Sequence, residues 1–173
     1  MRWFWIDRFT EFESGRCATA LKNVSLSEDY LHDHFPAYPV MPASLILEGL
    51  AQTAGLLIGE HGGFAQRVIL AKVSRVQFHF LALPGDTLTY RATILDINEN
   101  GAVAKTTSHV GDRLQGEAEI LFAHIKDDVA GEELFEPRAF LDLLTLLRMF
   151  EVGRNADGSP IEVPEKFRHL QGA

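Results

Sequence analysis

The sequence predicts an α+β fold in which an antiparallel sheet wraps one central, mostly apolar helix, with a helical extension at the C-terminus. Three observations point there. Stretches rich in β-branched and apolar residues follow one another with turn residues between them; the run from Ala43 to Glu60 has almost no polar face to offer water; and a second, amphipathic run stands near the end of the chain.

Taken in order, residues 3–13 and 16–24 read as two strands joined at Glu13-Ser14-Gly15, a hairpin. Residues 28–43 are expected to be irregular, because Pro36, Pro39 and Pro42 each interrupt a ladder or a helix. Pro42 suits a first helical turn, where its missing N–H costs nothing. The helix from Ala43 to Glu60 should be about 26 Å long and end near Gly59, ahead of Gly62-Gly63. Strands follow over 68–81, 87–98, 102–110 and 113–125, separated by Pro84-Gly85-Asp86, Asn98-Glu99-Asn100-Gly101 and Gly111-Asp112. Asn100-Gly101 is a particularly good hairpin signal. Beyond a loop-like run over 127–133, residues 136–150 read as a helix opened by Glu136-Pro137. Its apolar stripe is Phe140, Leu143, Leu144, Leu147 and Phe150, opposite Asp142, Thr145 and Arg148. That helix is expected to pack on its own sheet or across a dimer; a lid over the substrate, or a docking helix for a partner, is the functional alternative. Past Gly153 the chain is polar and expected to be loosely held. The division is thus a domain over 1–126 and an acidic extension over 127–173.

The chain has 173 residues, 46% of them hydrophobic and 23% charged. That length builds one sizeable core without staples, and the composition argues against a disordered chain or a disulfide scaffold. A net charge of −8 argues against general nucleic-acid or anionic-membrane binding, which needs a basic surface. The charge is uneven: residues 1–126 hold 11 basic and 14 acidic side chains, a net −3, and residues 127–173 hold 5 and 10, a net −5. One cysteine, Cys17, allows no internal disulfide and no cysteine-based metal site, which suits a reducing, cytoplasmic setting. The N-terminus meets charge too early, at Asp7 and Arg8, for a secretion signal. The most apolar stretch, Leu45 to Gly59, is interrupted by Glu48 and Gln52 and falls short of the ~20 residues a bilayer span requires.

Within the central helix, Ser44, Glu48, Gln52, Gly55 and Gly59 recur at steps of three or four and form one stripe of polar or very small residues. Leu45, Ile46, Leu47, Leu50, Leu56, Leu57 and Ile58 surround it. A carboxylate there loses hydration and becomes suited to acid or base work near neutrality. Equally, Glu48 is read as the partner of a buried Arg75 or Lys72, holding sheet to helix. His34 lies fourteen positions before Glu48, on a segment stiffened by three prolines. His32 and His34 alternate as metal ligands do, but the histidines at 61, 79, 109, 124 and 169 supply no spacing that completes a site, so no metal is expected.

Residues 34–55, HFPAYPVMPASLILEGLAQTAG, closely resemble the active-site signature of the hotdog-fold 3-hydroxyacyl-[acyl-carrier-protein] dehydratases of the FabZ/FabA type. Lys22-Asn23-Val24 and Pro84-Gly85-Asp86 extend the resemblance, which covers about residues 4–126 and leaves the tail unmatched. Glutamate at 48 is similar to the FabZ branch, where the FabA branch carries aspartate. The resemblance implies a homodimer with shared active sites, in which a histidine of one subunit faces the helix carboxylate of the other. His34 would take the proton α to the thioester carbonyl, and Glu48 would protonate the departing 3-hydroxyl, giving a trans-2-enoyl thioester without a cofactor. The Ala43 N–H at the helix start would stabilise the carbonyl oxygen. Ser44 would add a contact to the thioester end, and Gln52 would either orient Glu48 or simply pack.

Two departures stand out: the family usually has glycine at the positions of Ala37 and Ala43, and the N-terminus lacks the usual Pro-His-Arg-Tyr-Pro stretch. Alanine keeps the main-chain donor provided the backbone needs no positive φ there. The implied partner, acyl carrier protein, is itself acidic, so an acidic enzyme needs a local basic patch. Arg67, Lys72 and Arg75 are the candidates, or else an ordinary solvated strand face. Regular alternation would place Lys72 opposite the other two, so a flat patch requires a twist or bulge. The expected function is dehydration of carrier-bound 3-hydroxyacyl thioesters in fatty-acid or related lipid synthesis. The alternatives are a non-catalytic acyl-thioester-binding module and a hotdog thioesterase, both disfavoured by the presence of His34 and Glu48 at dehydratase spacing.

Overall fold

A computed structural model describes residues 4–125 and 136–170. The loop expected over 127–133, the domain boundary at 126–127 and the first residue of the expected opening strand lie outside the described residues.

Strands β1 (Arg8–Glu13) and β2 (Cys17–Asn23) form the first hairpin, followed by a one-turn helix α1 (Tyr30–Asp33) and the central helix α2 (Ala43–His61). Four strands come next: β3 (Arg67–Phe78), β4 (Thr87–Asn98), β5 (Gly101–Val110) and β6 (Arg113–Ile125). The extension supplies α3 (Pro137–Leu146), α4 (Met149–Val152), the two-residue strand β7 (Gly153–Arg154) and α5 (Glu165–Arg168). All seven strands join one sheet in the order β3-β6-β5-β4-β2-β1-β7, antiparallel except where β7 runs parallel to β1. The strands read from the sequence and α2 are present, but the opening strand expected over 3–13 begins only at Arg8, and the stretch 28–43 expected to be irregular contains the one-turn α1.

The turns obey their residues, with one change of role. β4 and β5 pair Asn98 with Gly101, so the two-residue loop is Glu99-Asn100 and Gly101 already belongs to a strand. Its φ is not positive; glycine is required because a Cβ there would collide with the Phe122 carbonyl oxygen across the β5–β6 ladder. At Pro84-Gly85 the turn closes with Asp86 N–H donating to Leu83 O at 3.0 Å, while the Asp86 carboxylate accepts from Leu83 N–H at 2.8 Å.

The sheet packs along α2, which contacts β2 through β6. Ile46, Leu50, Thr53, Ala54, Leu57 and Ile58 are buried against β2–β6 together with Phe9, Ala20, Leu88, Tyr90 and Ile120. In the stripe that begins with Ser44 and Glu48, Ser44 is exposed and Glu48 and Gln52 are half-buried, whereas Gly55 faces the Phe122 ring of β6 and Gly59 is buried against Phe64. Beside it, Leu45, Leu47 and Leu56 are also only half-buried.

The tail departs from expectation in two ways. The expected 136–150 helix is broken: α3 ends at Leu146, and Arg148 takes a left-handed conformation with φ 61° before α4 begins. Glu136 caps α3 by accepting from the Arg138 and Ala139 N–H groups, and Leu143, Leu144 and Leu147 are buried as the stripe requires. The segment past Gly153 is held, not loose. Gly153 and Arg154 pair with Phe12 and Glu13, Ile161 and Phe167 are buried, and Lys166 Nζ donates to the Phe64 carbonyl. Phe64, Phe140 and Phe167 form one aromatic cluster just beyond the C-terminal end of α2. The extension is therefore anchored at the end of α2 opposite Ala43, and in this chain α3 is no lid over the start of that helix.

Candidate active site

The stiff segment before α2 holds His34 through the main chain. Val40 N–H donates to His34 O at 2.8 Å, and the His34 ring Nδ1 lies 3.0 Å from Val40 O. A carbonyl only accepts, so Nδ1 carries a proton, and in the neutral ring it is Nε2 that holds the lone pair. The ring also stacks on Phe35, centroids 4.3 Å apart at 24°. Met41 N–H donates to Ala82 O at 2.9 Å, tying the segment to the loop after β3.

Glu48 stands one turn into α2. Its Oε1 accepts from Gln52 Nε2 at 2.9 Å, and Gln52 Oε1 accepts from the Trp5 main-chain N–H at 2.8 Å. Glu48 forms no ion pair among the described residues, so its expected pairing with Arg75 or Lys72 is not made. Those cations sit on the other surface of the sheet, as the β3 register shows. Within one chain, His34 and Glu48 do not hydrogen-bond to each other.

The N-terminus of α2 presents donors. Pro42 caps without a side-chain bond, the first turn holds no acidic residue, and the N–H groups of Ala43 and Ser44 donate to nothing among the described residues. The positive end of the helix dipole is left open at that point. Neither Ala37 nor Ala43 has a positive φ, so alanine is accommodated at both positions without backbone strain.

Register shifts between Leu70 and Lys72 and between Val73 and Arg75 insert two bulges into β3. Arg67, Lys72 and Arg75 consequently oppose Ile125, Leu121 and Glu119, alternate residues of β6 that point away from α2. All three cations thus share the outer face of the sheet, the outcome that regular alternation forbids. Among the described residues, no cluster of three or more His, Cys, Asp or Glu side chains is placed to hold a metal, and no helix is long and apolar enough to cross a membrane.

Sequence reasoning missed the Val40 carbonyl and the Trp5 N–H, main-chain groups that no side-chain pattern reports. Lys22, singled out only as part of the family resemblance, turns out to be buried, with its Nζ donating to Glu28 Oε1 at 2.6 Å and lying 3.5 Å from Asp7 Oδ1.

Residues 3–118 match the family model of the FabA-like domain. Among curated proteins, the chain is 37% identical over 119 residues to a 3-hydroxyacyl-[acyl-carrier-protein] dehydratase FabZ of Pelotomaculum thermopropionicum, covering 68% of this chain and 85% of that one. It is 38% identical over 119 residues to the FabZ of Listeria monocytogenes, covering 68% and 83%. Among solved structures, the dehydratase heterocomplex ApeI:P from Xenorhabdus doucetiae superimposes with a TM-score of 0.52 at 18% identity, over 64% of this chain and 89% of that one. AziG of S. sahachiroi gives 0.58 at 16% identity, over 69% and 90%. These structural likenesses carry the fold, and the family model with the curated relatives carries the membership: the chain belongs to the FabA-like family and has the hotdog fold.

Proposed function

We propose that the protein dehydrates 3-hydroxyacyl thioesters borne on acyl carrier protein to trans-2-enoyl thioesters, in fatty-acid or related lipid synthesis. The bond from His34 Nδ1–H to the Val40 carbonyl carries this reading, because it anchors the ring and makes Nε2 the basic nitrogen of its neutral form. His34 Nε2 takes the α-proton, and the electron pair of that C–H bond becomes the new C=C bond. The bond from Cβ to the hydroxyl oxygen breaks, and the proton of the partner subunit's Glu48 leaves with that oxygen as water. Negative charge gathering on the thioester carbonyl meets the Ala43 and Ser44 N–H groups and the helix dipole. The cycle closes when His34 returns its proton and Glu48 regains one. Curated relatives named for this reaction support the assignment.

A homodimer with shared sites is part of the proposal. β3 is a twelve-residue edge strand with no sheet partner on its outer side among the described residues, and Ile69, Leu70 and Val76 are exposed on it. An edge of that length and character calls for a cover. A second copy would cover it and the open, leucine-flanked side of α2 together. The outer-face cations Arg67, Lys72 and Arg75 are the proposed docking contacts for the acidic carrier. A carrier-borne substrate and a single cysteine suit a cytoplasmic setting.

The test is hydration of trans-2-enoyl thioesters of several acyl lengths, followed as loss of enoyl absorbance, for the wild type, His34→Ala and Glu48→Gln. Turnover lost in both variants is the expected result. Turnover kept in both overturns the roles, and no hydration by the wild type at any length points to an acyl-binding module.

A further inference from the structure

Gln52 joins Glu48 to a part of the chain far from the site in sequence. The Trp5 N–H can only donate, so the Gln52 amide must turn its oxygen to Trp5 and its NH2 to Glu48. The opposite flip would set two donors against each other and a carbonyl against a carboxylate. The orientation that serves Glu48 therefore depends on where the Trp5 N–H is held.

Trp5 precedes β1 and belongs to no strand. Asp7 holds that segment. Its N–H donates to Leu21 O at 2.7 Å, its Oδ2 accepts from Asn23 N–H at 2.7 Å and from Asn23 Nδ2 at 3.0 Å, and its Oδ1 lies 3.5 Å from Lys22 Nζ. Lys22 is only 7% exposed, and a buried ammonium is tolerated only between carboxylates, here Asp7 and Glu28. Ile6 is buried between these anchors, and the Trp5 ring packs edge-on against Tyr30, centroids 5.3 Å apart.

We infer that Asp7 is a positioning residue for Glu48, acting through the Trp5 main-chain N–H and the Gln52 amide. The inference rests on the reading of Glu48 as the acid. Loosening one end of a relay built from 2.8 and 2.9 Å bonds misplaces the carboxylate, and a misplacement of about 1 Å costs on the order of 10²-fold in rate.

The experiment is a double-mutant cycle on hydration kinetics, with the Gln52 side-chain amide signal read by 15N NMR in the same proteins. Asp7→Ala should lower kcat by about ten- to a hundredfold with KM little changed, and should shift the Gln52 signal. Asp7→Asn, which keeps an acceptor for Asn23 N–H, should recover most of the loss. In the Gln52→Ala background the Asp7→Ala loss should all but vanish, whereas a role in stability alone would make the two losses multiply. Multiplying losses, or an unmoved Gln52 signal, overturn the inference. If Asp7→Ala does not fold, a synthetic segment 1–16 joined to a chain beginning at Cys17 allows the Trp5 N–H to be replaced by an ester oxygen with every side chain kept. The same kcat loss is then expected, and wild-type kcat overturns the inference. A wild type without turnover would retract the role of Glu48, leaving the Gln52 signal to decide whether Asp7 sets the amide.

Discussion

His34 Nδ1–H donates to the Val40 carbonyl at 3.0 Å, so the loop that presents the ring also fixes which nitrogen is free. Removing the ring removes the proposed base and leaves the Ala43 and Ser44 donors in place. His34→Ala should therefore lower kcat for enoyl hydration by about 10²- to 10⁴-fold with a smaller change in KM. Steady-state kinetics over a range of substrate concentration checks the split.

Shared sites make a sharper demand. In a dimer of His34→Ala with Glu48→Gln, one site lacks both groups and the other has both. Co-expressed variants that mix at random should recover about a quarter of wild-type activity, because half the dimers are mixed and each holds one intact site. Two separately purified, inactive variants that stay inactive when co-expressed would place His34 and Glu48 in the same subunit's site.

Gly49 follows the proposed acid and lets two elements approach α2. A Cβ there would collide with the Tyr90 ring and lie 2.8 Å from the Trp5 carbonyl oxygen. Tyr90 is fully buried and has no room to yield. Gly49→Ala should cost about 1–3 kcal/mol of stability through overpacking, read as a lowered urea midpoint with an unchanged slope.

The outer face of β3 predicts a carrier-dependent effect. Lys72 and Arg75 are exposed and stand clear of α2, so Lys72→Glu with Arg75→Glu should raise KM several-fold for an acyl-carrier-protein substrate. The rise should be smaller for a short synthetic thioester with no acidic carrier, and salt should narrow the difference. Equal effects on both substrates would remove this face from docking.

How much of this was legible depends on the range of each interaction. The hairpins, α2 and its polar stripe follow from local periodicity and turn chemistry, and the motif from His34 to Gly55 named the candidate site. The bulges in β3 were legible only as a requirement: three cations on one face demanded them. The break at Arg148 was not legible, since neither glycine nor asparagine marks that left-handed residue. The tail's attachment was hidden for a different reason. Gly153 pairing with Phe12, and Lys166 Nζ reaching the Phe64 carbonyl, join residues about a hundred or more positions apart with at least one backbone partner. Trp5 and Gln52, 47 positions apart, likewise meet through a main-chain N–H.

Glu60 lines a cavity of about 1060 Å³ between the end of α2 and the extension, with Ser14, Glu162 and Lys166 among its neighbours there. Burial raises its pKa from the ordinary 4.5, against a hydrogen bond from Ser14 and the nearby His61, and its Oε2 is buried without a partner. The folded protein thus holds this proton more tightly than the unfolded chain does. Stability from this group is fully present below pH 4.5 and is lost as pH rises through the raised folded value. Glu60→Gln, permanently neutral, should therefore raise the Tm at neutral pH, and the advantage should shrink to nothing as the solution is acidified. A Tm difference that stays constant across that range would mean that the carboxyl ionises in the folded protein as readily as in the unfolded chain.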